Sequence, residues 1–279
     1  MSLLCAGDGE LVRGASLECV PGVVERHFGL TACRTEGKLL QSVSHVGPWM
    51  DSAHGGQQAG AAGVQFDHVM GEALYAVAPA EHWALTTELT FDIVVAPGWE
   101  TETLHVNGWV TDSGPRGGFA QAELVDQRGA LLAVGTTRVQ YVPARTPQEK
   151  VETGEANGDE RPSAVNFAAH LGVRLGAENG DPRADLVEPG LWTNDYGVLH
   201  GGVWASIVEL AAGEVLADTG LRTAHVHVSY LRSPGLGSPV SAIARPVHAG
   251  RSFGVVEVTG RDGSGRPCVT ATVTGRRAD

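Results

Sequence analysis

The sequence predicts an α+β chain built twice over, each copy a long helix wrapped by an antiparallel sheet. Three observations carry this. Each half holds one apolar helical stretch, alternating strands follow it, and the halves match one another in order. His27-Phe28-Gly29-Leu30 aligns with His170-Leu171-Gly172-Val173 at an offset of 143, and Gly71-Glu72-Ala73-Leu74 with Gly213-Glu214-Val215-Leu216 at 142. Pro97-Gly98 then meets Pro234-Gly235 at 137, and Phe119-x3-Glu123 meets Phe253-x3-Glu257 at 134. A monotonic drift is what a duplicated unit gives when its second copy has shorter loops.

Each copy reads alike. A short helical lead-in precedes a strand pair, a loop, and one helix of about four turns. Strands are expected over Leu85 to Val95, Leu104 to Val110, Phe119 to Asp126 and Leu131 to Val142. The second copy offers Thr223 to Leu231, Val240 to Pro246, Phe253 to Gly260 and Cys268 to Gly275. Alternation such as His225-Val226-His227-Val228 marks half-buried antiparallel strands, and Gly129 and Gly263 mark hairpins. Residues 143–163 (PARTPQEKVETGEANGDERPS) are polar, acidic and nearly without apolar side chains, a composition that suits a linker. The expected layout is a first domain over 1–142, a linker over 143–163 and a second domain over 164–279.

Composition narrows the function. A hydrophobic content of 42% with 19% charged residues supports a sizeable core. A net charge of −12 argues against wholesale nucleic-acid or anionic-membrane binding. The start lacks a signal-peptide pattern and no apolar run approaches the ~18 residues of a membrane span, so a cytoplasmic protein is expected. Cys5, Cys19, Cys33 and Cys268 form no CxxC pair and read as reduced thiols. No metal site is visible: His225-x-His227 lies on one strand face without Cys or acid partners. A serine nucleophile elbow and a phosphate-binding glycine loop are also not seen.

The most informative stretch runs from Asn194 through His200-Gly201-Gly202 to Glu209. A glycine pair opens a helix whose second turn carries one acid among apolar residues. Free N–H groups at a helix start suit an oxygen gaining negative charge, and glycine lets another group approach that backbone. Asn six residues before His200 and Glu nine after it form N-x5-HGG-x6-[DE], which resembles the phenylacetate-pathway (PaaI-like) hotdog acyl-CoA thioesterases. That resemblance names each copy a hotdog and the pair a tandem (double) hotdog. It implies acyl-CoA as substrate, no separate cofactor, and a homodimer forming a four-hotdog assembly.

In the repeat register Glu209 falls on Asp67, His200 on Gln58, Gly201 on Ala59, Gly202 on Gly60 and Asn194 on Ser52. Nine residues at ~100° each place Glu209 about half a turn from its own helix start. Relatives, in the resemblance, face the loop of one unit with the acid of the other. Asp67 is therefore expected to meet Asn194, His200 and Gly201, a complete site, and Glu209 to meet Ser52, Gln58 and Ala59, a degraded one. Thr86 and Thr223 occupy roughly the position of the family's strand hydroxyl beside the acid. His54-Gly55-Gly56 is four residues out of register and reads as a loop.

The chemistry so implied is thioester hydrolysis, with the Gly201 N–H polarising the carbonyl. Asp67 serves as base or nucleophile, Asn194 holds the water or the carboxylate, and His200 fixes the loop. Arg251 and Arg116, each before a Phe-bearing strand, are candidates for the CoA phosphates, beside the reading that both are solvated hairpin arginines. A non-catalytic acyl-CoA-binding module and a hotdog hydratase or dehydratase remain open as alternatives.

Overall fold

The computed structural model describes residues 18–36, 38–144, 164–194 and 197–277. The acidic stretch read as a linker lies outside these residues except for its start. Pro143, the first residue of that stretch, ends a strand and pairs with His82.

Each half has a short helix near its start, α1 (Val23–His27), which follows a two-residue strand, and α3 (Phe167–Leu171). The repeated glycines follow them. Gly29 and Gly172 sit at φ 68° and 69°, the left-handed conformation in which glycine ends helices without a Cβ penalty. In the first half come β1 (Glu18–Cys19), β2 (Cys33–Glu36) and β3 (Leu39–His45), then helix α2 (Gly63–Tyr75) and β4 (His82–Ile93), β5 (Thr103–Gly114), β6 (Gly117–Asp126) and β7 (Leu131–Pro143). The second half has β8 (Val173–Glu178) and β9 (Asp181–Leu186), then helix α4 (Gly201–Ala217) and β10 (Arg222–Tyr230), β11 (Val240–Ala249), β12 (Phe253–Asp262) and β13 (Pro267–Arg276). Every strand expected after the two long helices is present, with ends displaced by at most a few residues.

The strands form one antiparallel sheet in the order β1-β2-β3-β5-β6-β7-β4-β10-β13-β12-β11-β9-β8. The halves join where β4 pairs with β10, Phe91 opposite Val226 and Leu89 opposite Val228. His225 and His227, weighed above as metal ligands, instead serve this seam. Nδ1 of His227 lies 2.8 Å from Thr90 Oγ1, and that of His225 lies 2.9 Å from Asp92 Oδ1.

Helices α2 and α4 pack together inside the curved sheet. Helix α4 is buried nearly all round, as its apolar composition requires. Close approach depends on glycine: a Cβ on Gly202 would stand 2.4 Å from Val64 Cα, and one on Gly63 would stand 2.8 Å from the Gly202 carbonyl. Much of the reason for a Gly-Gly pair after His200 is thus helix-to-helix contact. Phe66 stacks on Phe91 at 5.7 Å, and Phe28, Trp49, Phe167 and Trp192 form an aromatic cluster where the two lead-in helices meet. Among the described residues no helix is long and apolar enough to cross a membrane.

Candidate active site

Two carboxylates lie at corresponding points of α2 and α4, each reaching the start of the other helix. An α-helix leaves its first N–H groups without intrahelical acceptors, and an oxygen near the start takes the N–H of the second or third helical residue. Gly202 is second after the cap residue His200, and its N–H donates to Asp67 Oδ2 at 2.9 Å. Gly60 is second after Gln58, and its N–H donates to Glu209 Oε2 at 3.2 Å. The acid of one half therefore caps the helical start of the other. The N–H meeting the acid is that of Gly202, one residue beyond the Gly201 N–H expected to polarise the thioester carbonyl. Gly201 is needed for another reason: a Cβ there would come 2.6 Å from Asp67 Oδ2.

The strand threonines complete the parallel. Thr86 Oγ1 donates to Asp67 Oδ1 at 2.9 Å, and Thr223 Oγ1 donates to Glu209 Oε1 at 2.6 Å. Each comes from the strand following the acid's own helix.

One exchange breaks the symmetry, His200 in the second half against Gln58 in the first. The His200 ring is buried, with Nδ1 3.1 Å from Asp67 Oδ2 and Nε2 3.2 Å from Glu25 Oε1. Burial alone would lower its pKa, but Asp67 and Glu25 outweigh this and push it up to about 9. That shift favours the imidazolium form of His200 beside Asp67. The Gly202 N–H also points at His200 Nδ1, 3.0 Å away, in the cap position of α4. Burial would raise the Asp67 carboxyl, yet His200, with Thr86 and the Gly202 N–H, holds it below the ordinary aspartate value. A carboxylate so stabilised is a weak base.

Glu209 differs in sign. It is only 2% exposed, and burial raises its pKa. Thr223, Gln58 and the N–H groups of Gly60 and Ala59 oppose that shift without reversing it. All four are neutral donors. The result is a carboxylate more basic than usual, held by both oxygens in a fixed orientation.

Glu209 also forms part of the wall of a cavity of about 330 Å³ between the halves. Gln58, Ala59 and Thr223 share its floor, Leu216, Leu221 and Pro97 give it apolar sides, and Arg222 and His54 bring polarity. Asp67 is not on this wall. The loop read as a coincidence of sequence, His54-Gly55-Gly56, thus has a place. His54 Nε2 lies 2.7 Å from Glu214 Oε1, and Arg222 donates to the carbonyls of His54 and Gly55.

The remaining expectations divide. Asn194 accepts the Val198 N–H on its carboxamide oxygen at 3.2 Å, shaping the turn before His200. Asp195 and Tyr196 lie outside the described residues. Arg116 and Arg251 are exposed in the β5–β6 and β11–β12 turns and do not line the cavity, whereas Arg222 does. Glu25, His68 and Arg222 had no sequence signal. Their partners lie 35 to 175 residues away, beyond any local pattern.

Residues 196–269 match the model of the Thioesterase superfamily. A Deinococcus radiodurans protein, provisionally named an esterase, is 28% identical over 136 residues, 48% of this chain and 84% of its own length. Among solved structures, the tesB protein of Mycobacterium avium subspecies paratuberculosis superposes with a TM-score of 0.62 at 11% identity, covering 91% of this chain and 97% of that one. The acyl-CoA thioesterase II TesB2 of Mycobacterium marinum gives 0.59 at 12% identity, covering 91% and 96%. The fold is that of tandem hotdog proteins.

Proposed function

We propose that this chain hydrolyses acyl-CoA thioesters in the cavity between its two halves, with Glu209 as the catalytic carboxylate. The observation that carries the reading is the electrostatic difference between the two acids. Glu209 meets only neutral donors and borders a cavity, while Asp67 is neutralised by a buried imidazolium. The thioesterase-superfamily match over 196–269 supports the reaction class, and the acyl-CoA thioesterase of similar fold supports the substrate class.

In the proposed reaction Glu209 removes a proton from water as the water attacks the thioester carbonyl. Thr223, Gln58 and the N–H groups of Gly60 and Ala59 hold the carboxylate. The tetrahedral intermediate then releases the CoA thiolate, which recovers the proton from Glu209, leaving free acid and CoA. Attack by Glu209 itself, through a mixed anhydride, uses the same geometry. Label in Glu209 after a single turnover in ¹⁸O-water would establish the anhydride route, since general-base attack by water labels only the product acid. Arg222 is the cation placed to meet an incoming phosphate group, and Asp67, Thr86 and His200 serve chiefly to lock the halves together.

The test is free-thiol release from a panel of acyl-CoA esters, comparing wild type with Glu209→Gln. Turnover by wild type that the variant loses supports the proposal. CoA binding without thiol release from any ester would favour the non-catalytic module instead.

A further inference from the structure

Outside the cavity, the first half holds a buried cluster with no part in the proposed reaction. Cys19 of β1 stands directly opposite Cys33 of β2, and His68 of α2 faces the pair. The two sulfurs and one His68 ring nitrogen all lie within 4.8 Å of one another, and His68 Nε2 is 3.3 Å from Cys33 Sγ. All three residues are buried. The opposite ring nitrogen, Nδ1, lies 3.4 Å from Glu25 Oε1.

We propose that Cys19, Cys33 and His68 form a binding site for a thiophilic divalent metal ion, zinc being the natural occupant. Zinc takes thiolate sulfur at about 2.3 Å and imidazole nitrogen at about 2.0–2.1 Å in tetrahedral array. Those bond lengths imply ligand-to-ligand edges of about 3.5–3.8 Å. The observed 3.3 Å edge and the 4.8 Å limit lie close on either side, so small side-chain rotations suffice. The outer contact is also of the right kind. Metal-ligating histidines generally give their second N–H to a carboxylate, which fixes the tautomer and aims the other nitrogen at the metal. Glu25 does this for His68 and simultaneously accepts from His200 Nε2.

Two thiolates satisfy the charge of a divalent ion, and the fourth position falls to a solvent oxygen. The ion would pin β1 and β2 to α2, and through Glu25 it would stiffen the imidazolium that holds Asp67.

The experiment uses the reduced full-length protein, stripped with a chelator and titrated anaerobically with Co²⁺. One equivalent is expected, with the thiolate-to-cobalt absorption and strong visible bands of tetrahedral coordination, both erased by Zn²⁺. Cys33→Ala should abolish the charge-transfer band, Glu25→Gln should weaken binding by about 10–100-fold, and Cys268→Ala should change neither. Zinc should also shield Cys19 and Cys33 of the wild type, but not Cys268, from alkylation followed by peptide mass mapping. That measurement stands even where a variant fails to fold. A wild type showing no tetrahedral cobalt spectrum, or a band that survives Cys33→Ala, would overturn the assignment.

Discussion

Replacing Glu209 by glutamine changes one oxygen to an NH₂ and leaves the volume almost untouched. Its Thr223 bond can survive on the remaining oxygen, now 2.6 Å from the hydroxyl. The new NH₂ then faces the Gly60 N–H, donor against donor, where the carboxylate accepted at 3.2 Å. That conflict should lower folding stability by about 1–3 kcal/mol. Removal of a positioned base should lower kcat by about 10²–10⁴, or roughly 3–5 kcal/mol in activation free energy. Steady-state thiol release measures the second effect and urea denaturation the first. Asp67→Asn provides the contrast. It strips a carboxylate from a buried imidazolium and should cost about 3–5 kcal/mol of stability, while kcat per folded molecule stays near wild type. If instead Asp67→Asn abolishes turnover and Glu209→Gln spares it, the electrostatic argument assigning the reaction to Glu209 is refuted.

Thr223→Val removes the shortest bond to Glu209, and since that bond favours the charged form, the acid limb of kcat/KM should move to higher pH. A pH–rate profile whose acid limb stays in place would show that Thr223 does not govern the base. Stability should fall as pH rises. The His200 pKa is raised from 6.5 to about 9, so its contribution is complete below the unfolded value and disappears through the folded one. The loss is on the order of 3 kcal/mol, read by urea midpoints at several pH values, and His200→Gln should flatten that slope. Arg222→Ala should raise KM for acyl-CoA by about tenfold with kcat little changed, as for loss of a charge-assisted contact of roughly 1.5 kcal/mol. Arg251→Ala and Arg116→Ala are the controls for that experiment and should leave KM within about twofold, the ordinary scatter of a surface substitution.

The strands were legible because alternation has period two and the glycine turns bound it. Leu131–Pro143 and Phe253–Asp262 fall almost where the pattern put them. The acids were legible too: Asp67 and Glu209 are carboxylates set among apolar residues of α2 and α4, and the repeat register ties each to the opposite start. What the sequence concealed was the value of those positions. Gln58 reads as decay of a histidine, because spacing shows identity without charge. Only the ring between Asp67 and Glu25 shows that His200 tames one acid while Gln58 leaves the other basic. Arg222 was hidden because its partners, the carbonyls of His54 and Gly55, lie more than 160 residues earlier. The Cys19–Cys33–His68 cluster has no spacing motif and depends on β1 pairing with β2 beneath α2.

Both halves belong to one polypeptide, and they meet at the β4–β10 seam as two identical subunits would otherwise do. In a symmetric pair every substitution is imposed twice, so a gain for one carboxylate is inherited by its twin. Here a change at residue 58 leaves residue 200 alone. Each acid can drift toward its own task, in the proposed reaction one as mortar and the other as reagent, and neither must compromise for its counterpart. The cost of a failed mutation is likewise confined to one of the two positions.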